Sequence, residues 1–285
     1  MLNLPLPEYG PDLVYEAAKE RFTDVDYKKR LSDGQNDVMS LCQEYVDKAN
    51  NGHLHLIVGN PAVPPHILAG DMPTLYSQGL LRKRSEARTY YEKLRLSSPY
   101  RLCPLCLHRT VKTLDHYLPK AQYGAYAVLP ANLIPCCRDC NSDKDVFAPE
   151  DRASTIIHPY FDNVDASAWL GCEIDKHADH CTVSFYINSV NVTEDLRPRL
   201  IAHMENLQLY ELYDIEAARE INEMAGVLKT TFDASGLEAV KELCESMAAS
   251  RSVLAANYWK AVLWRSAAND AEFCGLHWFA VSAAA

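Results

Sequence analysis

The chain has 285 residues, of which 48% are hydrophobic and 23% charged, so it is long enough and apolar enough to bury a globular core. We expect a cytoplasmic protein with reduced thiols, because ten cysteines follow an N-terminus that has neither a basic start nor an apolar leader. No apolar run reaches the length of a membrane span, so the sequence predicts no membrane partner.

The first part of the chain, residues 1–80, has the pattern of a helical region with loops. Helical spacing of apolar residues is clearest over 15–21 and 36–49. A further helix is predicted over 79–96. On that helix Arg84, Arg88, Tyr91 and Arg95 would share one face, which could follow a nucleic-acid backbone or could simply be solvated.

Positive charge is concentrated in the next stretch of the chain, although the whole chain has a net charge of −10. Between Arg82 and Lys120 there are ten Lys or Arg residues and three Asp or Glu residues. A basic segment on an acidic protein predicts a phosphate-binding face. The alternative is that acidic neighbours in the fold neutralise it.

Two Cys-x-x-Cys pairs follow, Cys103 with Cys106 and Cys137 with Cys140. Four thiolates in this arrangement are typical of a closed, structural zinc site, in which no coordination position is left for water. Cys136 is an alternative ligand, but only Cys137 leaves a two-residue gap before Cys140.

The segment between the two pairs predicts a β-hairpin over residues 110–118, then a loop, and a short helix beginning near Cys140. Asp115 and His116 would be neighbours on a strand, so their side chains would point to opposite faces unless the strand twists or bulges. Histidine suits a general base near neutral pH, and carboxylate and amide oxygens suit Mg²⁺. This composition predicts phosphodiester chemistry beside the zinc site.

The order of these motifs resembles the HNH endonucleases, also called ββα-metal nucleases, several of which contain the same zinc knuckle. The resemblance covers residues 100–148 firmly and extends more weakly to residues 158–162 and Trp169. It rests on the two cysteine pairs and on the motifs Asp115-His116-x-x-Pro-Lys120, Asn132-Leu, and Cys140-Asn141-x-x-Lys144.

This resemblance implies a role for each residue of the motif. His116 would be the general base and Asp115 a ligand of one catalytic Mg²⁺ or Mn²⁺. Asn132 would brace the loop that orients His116. Asn141 stands where many members have a histidine ligand, and it would be the second ligand of the catalytic metal. Lys144, on the same helix, could contact the substrate phosphate.

The surroundings of the motif are similar to those of HNH proteins that act as effectors of bacterial anti-phage systems. This similarity implies a regulatory partner, which the helical flanking regions could recruit. The chain has no Walker A motif, so any gating by ATP would need a separate protein such as an ATPase.

The remainder of the chain changes from strand to helix. Val183, Phe185 and Ile187 alternate with polar residues within a strand region over 169–192, and helical patterns continue from Leu196. Within the strand region a second cluster could be a zinc site or, alternatively, a polar hairpin turn: Cys172, His177, His180 and Cys181.

Together these patterns predict an α+β fold, a predominantly helical chain around a central ββα-metal module. We expect three regions, 1–80, 81–165 and 166–285, the second being the nuclease module. The expected function is metal-dependent cleavage of DNA or another nucleic acid, and the alternative is a non-catalytic zinc-knuckle binding or adaptor protein. The expected nucleic-acid contacts are Arg84, Arg88, Arg95, Lys120 and Lys144.

Overall fold

A computed structural model describes residues 1–177 and 180–278 of the chain. The chain forms two compact units: the N-terminal unit is Asn3–Asn163, and the C-terminal unit is Val164–Ala285 together with Met1–Leu2. The fold is mixed α and β, about 52% helical, with two small antiparallel sheets. The boundary expected after residue 80 therefore falls inside one unit, and the regions 1–80 and 81–165 are not separate in the structure.

The N-terminal unit contains six α-helices, one π-helical turn and one two-stranded sheet among its elements. The helices are α1 Pro11–Lys19, α2 Val25–Asp33, α3 Gln35–Asn50, α4 Asp71–Thr74, α5 Glu86–Arg95 and α6 Arg138–Lys144. The π-helical turn is Leu75–Leu80, and the strands are β1 Thr113–His116 and β2 Leu133–Cys136.

Helix α3 shows how the sequence pattern produces the packing in this unit. Its buried residues are Val38, Cys42, Tyr45 and Ala49, which recur every three or four residues and form one apolar stripe. Gly79 lets the π-helical turn pack closely against α1. A Cβ at position 79 would lie 2.8 Å from the carbonyl oxygen of Ala18 in α1. Tyr45 of α3 also packs against Tyr126, with ring centroids 5.1 Å apart, so residues 1–80 share a core with the segment that follows them.

The sheet of this unit differs from the predicted local hairpin. Strand β1 pairs antiparallel with β2, with Asp115 opposite Ile134 and His116 opposite Leu133. The prediction of a hairpin over residues 110–118 is wrong, because the partner strand lies beyond the loop of residues 117–132. The predicted short helix near Cys140 is confirmed as α6.

Among its described residues, the C-terminal unit contains a β-hairpin and four α-helices. The strands are β3 Leu170–Lys176 and β4 Cys181–Ile187, and the helices are α7 Leu196–Asn206, α8 Leu209–Ser252, α9 Trp259–Ala268 and α10 Ala271–Cys274. The predicted strand region and the helices after it are confirmed. Helix α8 is interrupted at Gly236, where φ is 77° and ψ is −168°.

A buried asparagine and a buried carboxylate join the parts of the C-terminal unit. The side-chain oxygen of Asn257 accepts hydrogen bonds from the backbone N–H groups of Trp169 (2.9 Å) and Leu170 (3.1 Å). Glu220 on α8 binds Lys260 of α9 at 2.5 Å and Arg251 at 2.9 Å. In the part of the chain that the structure describes, no helix is both long enough and apolar enough to cross a membrane.

Candidate metal and catalytic site

The four predicted zinc ligands converge in the N-terminal unit. The Sγ atoms of Cys103, Cys106, Cys137 and Cys140 all lie within 4.8 Å of one another, and the four residues are buried. Zn–S bonds of about 2.3 Å in a tetrahedron place sulfur atoms about 3.8 Å apart. The cluster could therefore hold a zinc ion after only a small contraction.

Hydrogen bonds and an ion pair support both knuckles. Cys106 Sγ accepts a hydrogen bond from the backbone N–H of Arg109 at 3.5 Å, and Cys137 Sγ accepts one from the backbone N–H of Cys140 at 3.3 Å. Such donors stabilise the thiolate form that binds a metal. The side chain of Arg109 also bonds Asp139 of the second knuckle at 2.6 Å. Cys136 lies in β2 and is not among the four converging residues.

His116 is held by its ring nitrogen at the end of β1. Its Nε2 lies 2.9 Å from the carbonyl oxygen of Ala127. A carbonyl can only accept a hydrogen bond, so Nε2 carries the proton and Nδ1 presents its lone pair. Burial, aided by the charge of Lys120, lowers the pKa of His116 to about 3, so the ring is neutral near pH 7.

The aromatic ring of Tyr76 packs against the ring of His116. The two centroids are 4.4 Å apart and the planes meet at 70°, an edge-on contact that restricts rotation of the imidazole. The ammonium of Lys120 lies 5.5 Å from the centroid of the same Tyr76 ring. Lys120, one of the predicted nucleic-acid contacts, is thus placed beside the candidate base.

Asn132 braces the loop that carries Ala127. Its Oδ1 accepts a hydrogen bond from the backbone N–H of Leu118 at 2.7 Å, and its Nδ2 donates to the carbonyl oxygens of Leu118 and Tyr126, both at 3.1 Å. The residue is fully buried. The residue after Tyr126 is Ala127, so this clasp fixes the position of the carbonyl that holds His116.

Asp115 lies next to His116 and is buried, and its carboxylate faces a lysine. The Oδ2 atom is 3.2 Å from Nζ of Lys144, yet it has no hydrogen-bond partner of good geometry among the described residues. Burial raises the pKa of Asp115, and the charge of Lys144 opposes that shift. A buried carboxylate oxygen that has an ion-pair partner at 3.2 Å but no hydrogen bond is of the ligand type that a hard cation prefers.

The placement of Lys144 differs from the prediction of a phosphate contact. Its side chain is only 2% exposed, and Nζ donates a hydrogen bond to the backbone carbonyl of His116 at 2.7 Å. Lys144 therefore links α6 to β1 inside the unit. Its aliphatic chain is buried, and its ammonium is held by Asp115 and by the carbonyl oxygen of His116.

Asn141 lies on α6 one helical turn before Lys144 and is half-buried. Residues three apart on a helix are neighbours on its surface, so Asn141 and Lys144 share the side of α6 that faces β1. No hydrogen bond joins the Asn141 amide to Asp115 in the described residues.

The predicted arginine stripe is not a single free face. Helix α5 begins after Ser85, whose hydroxyl accepts a hydrogen bond from the backbone N–H of Arg88, so Arg84 lies outside the helix with φ at 61°. Arg88 and Arg95 both bind Glu92, each at 2.6 Å. One carboxylate thus partly neutralises the two arginines that do lie on α5.

The possible second zinc cluster does not assemble in the described residues. Cys172 lies opposite Phe185 in the hairpin register and Cys181 lies opposite Lys176, so the two thiols are separated along the strands. The backbone N–H of His177 donates to the carbonyl of His180 at 2.9 Å, as in a hairpin turn. Residues 178–179 of this turn lie outside the described residues.

The comparisons with known proteins do not assign an activity. No family model matches the chain, and no solved structure matches it. The chain is similar to Protein ea31 of Escherichia phage lambda, with 27% identity over 296 residues that cover 96% of this chain and 99% of that protein.

Proposed function

We propose that this chain is a metal-dependent HNH endonuclease that hydrolyses phosphodiester bonds in DNA. The strongest support is the imidazole of His116, which is buried and neutral. Its Nε2 donates a hydrogen bond to the carbonyl oxygen of Ala127, and its Nδ1 retains its lone pair. The two cysteine pairs, Asp115 and Asn132 follow one another along the chain in the order that the HNH resemblance requires, and the four cysteines converge.

His116 would act as the general base of the reaction. Its Nδ1 takes the proton of the attacking water, while the bond from Nε2 to Ala127 keeps the ring in the productive tautomer. Tyr76 limits rotation of the ring, and Lys120 contributes positive charge where a substrate phosphate would bind. The resemblance implies products with 5′-phosphate and 3′-hydroxyl ends.

Two different metals are part of the proposal. The four cysteines would hold a structural zinc ion that keeps the knuckles together. Asp115, with Asn141 as the second ligand, would hold Mg²⁺ or Mn²⁺, which when bound offsets negative charge on the phosphate and on the leaving oxygen. The oxygen of Asp115 that lacks a well-formed hydrogen bond fits this assignment.

A second candidate is a non-catalytic nucleic-acid-binding or adaptor protein. The observation that favours it is the ammonium of Lys144, which lies 3.2 Å from Asp115 and already supplies positive charge to that carboxylate. In this alternative the pair of Asp115 and Lys144 is only structural, and no divalent cation is needed.

Cleavage and binding measured on the same DNA separate the two candidates. We expect supercoiled plasmid to be nicked with Mg²⁺ or Mn²⁺ and not with EDTA at concentrations that leave the zinc in place, while filter binding persists in both. Binding without nicking under every divalent metal would support the adaptor instead.

We further propose, from the resemblance alone, that the nuclease serves as an anti-phage effector gated by a partner such as an ATPase. Expression of the protein with its genomic neighbours should reduce phage plaque formation, and the same genes with His116→Ala should not. Equal protection by the wild-type and variant genes would mean that protection against phage does not depend on cleavage by His116.

A further inference from the structure

Three exposed cations are brought together around the zinc knuckles. The backbone N–H of Val111 donates to the carbonyl of Arg101 at 2.7 Å, and the N–H of Lys112 donates to the carbonyl of Cys136 at 2.9 Å. Arg138 follows Cys136 by two residues. These bonds place Arg101, Lys112 and Arg138 on three neighbouring segments, although they are far apart in sequence.

These three side chains differ from Arg88, Arg95 and Arg109 because no carboxylate of the described residues compensates their charges. Arg88 and Arg95 bind Glu92, and Arg109 binds Asp139. Arg101, Lys112 and Arg138 are exposed, and no ion pair joins any of them to a carboxylate within residues 1–177 and 180–278. Like charges gathered on a surface favour binding of a polyanion.

A rigid turn places an aromatic ring in the solvent beside this cluster. Tyr100 is 92% exposed, and both Tyr100 (φ 55°) and Arg101 (φ 57°) have left-handed backbones. The N–H of Arg101 donates to the carbonyl of Ser98 at 3.0 Å, and the Ser98 hydroxyl donates to the carbonyl of Leu102 at 2.5 Å. Strained backbone of this kind persists only where the surroundings hold it, and it is common at binding sites.

The cluster is near the candidate catalytic residue. Lys112 precedes His116 by four residues along the segment that leads into β1, a distance of about 13 Å at the rise of an extended strand. DNA advances about 3.4 Å for each step of a strand, so the cluster is about four nucleotides from His116.

We propose that Arg101, Lys112 and Arg138, together with Tyr100, form a docking surface for the DNA substrate, which we call the knuckle face. The three cations bind phosphates about four nucleotides from the scissile bond, and Tyr100 stacks on an unpaired base. This inference rests on the proposed endonuclease function and specifies where its substrate strand lies.

The salt dependence of DNA binding tests the cations. Full-length protein is titrated with a labelled duplex oligonucleotide in the absence of Mg²⁺ and Mn²⁺ at several salt concentrations. The variant combining Arg101→Gln, Lys112→Gln and Arg138→Gln should reduce the slope of log affinity against log salt by about 2.7, since each phosphate contact contributes about 0.9. Its nicking of plasmid should fall at least about tenfold.

A matched variant removes three positive charges elsewhere in the same unit. Lys28, Lys29 and Lys48 form ion pairs with Glu20, Asp33 and Glu44. Their triple change to Gln should leave the salt slope and the nicking rate close to those of wild type. A knuckle-face variant that binds with the wild-type slope would overturn the proposal.

A small substrate distinguishes failure of this inference from failure of the proposed function. Bis(p-nitrophenyl) phosphate cannot reach from His116 to the knuckle face, so the knuckle-face variant should hydrolyse it at the wild-type rate. If wild type hydrolyses neither this diester nor plasmid, the endonuclease proposal fails, whereas the salt slopes still decide whether DNA binds at the knuckle face.

Tyr100 is tested separately with single-stranded DNA. Tyr100→Ala should weaken binding of a labelled single strand about tenfold and leave the salt slope unchanged, because stacking on a base involves no counterion release. An unchanged affinity for the single strand would overturn the stacking contact.

Discussion

At the scale of single residues, the orientation of the His116 ring depends on groups that would not contact the substrate. The ring is oriented by the carbonyl of Ala127 and by Tyr76, and the loop containing Ala127 is clasped by Asn132. Asn132 is therefore a positioning residue: it would act on the reaction only through the geometry of the loop.

Asn132→Ala should destabilise the protein by about 3 kcal/mol, since it removes three buried hydrogen bonds that each contribute about 1 kcal/mol. Urea unfolding measures the change. The matched variant is Asn141→Ala, whose half-buried amide should alter the free energy of unfolding by less than about 0.5 kcal/mol. Equal stability of the two variants would contradict the clasp.

Sequence reasoning could identify side chains of the site but not the backbone that orients them. The motif around Asp115, His116 and Asn132 predicted three residues that the structure places together. The carbonyl of Ala127 could not be predicted, because any residue supplies a carbonyl and the loop path selects which one. The burial of Lys144 could not be predicted either, because lysine side chains are usually exposed.

At the scale of elements, the two knuckles fix the start of α6 and the edge of the small sheet. Their four thiols converge, and Cys136 lies beside them on β2 without joining the set. The spacing of the cysteines was sufficient to predict which four thiols converge, because the two-residue gap within each pair places its two thiols close together in space.

Cys140→Ser should lose the bound zinc and unfold the module, because a structural zinc contributes folding free energy directly. Metal content of the purified protein, measured by atomic emission, should be about one zinc per chain in wild type and near zero in this variant. Cys136→Ser is the control and should retain its zinc. Loss of zinc from Cys136→Ser alone would mean that Cys136 is a ligand.

For two glycines of α8 we expect substitution by alanine to change the free energy of unfolding in opposite directions. Gly236 has φ at 77°, whereas Gly226 has no positive φ, and a Cβ there would meet no atom within 4 Å. Gly236→Ala should destabilise by about 1 to 3 kcal/mol, and Gly226→Ala should stabilise by about 0.5 to 1 kcal/mol. Thermal unfolding measures both, and the same sign for the two would contradict the interruption at Gly236.

The pairing of elements was harder to predict than the elements themselves. The helix of residues 36–49 and the strands of residues 169–192 follow from their periodicity. The partner of β1 does not, because a four-residue strand has little pattern and the paired strand lies across a long loop. Arg84 does not share a helix face with Arg88 and Arg95, because α5 begins after Ser85, and Glu92 forms ion pairs with the two arginines that lie on α5.

At the scale of the whole molecule, residues 1–80 complete the core around the candidate site. Tyr76 contacts His116, the hydroxyl of Tyr45 bonds His158 at 3.2 Å, and the carbonyl of Asn60 accepts the N–H of Gly124 at 3.0 Å. These contacts could not be read from the sequence, because they join residues that are distant in the chain.

A fragment of residues 3–163 should therefore unfold cooperatively in urea, and a fragment of residues 81–165 should not, because it lacks these core partners. Circular dichroism with zinc present follows both transitions. A cooperative transition in the shorter fragment would show that residues 1–80 are dispensable for folding.

We propose that the imidazole of His116 activates the water that cleaves DNA. The most direct measurement compares plasmid nicking by wild type and His116→Ala in Mn²⁺, using preparations matched for zinc content and circular dichroism. We predict that the variant nicks at least about a hundredfold more slowly, the loss of a general base being about 10² to 10⁴ in rate. Equal nicking by the two zinc-loaded proteins would show that His116 is not the general base.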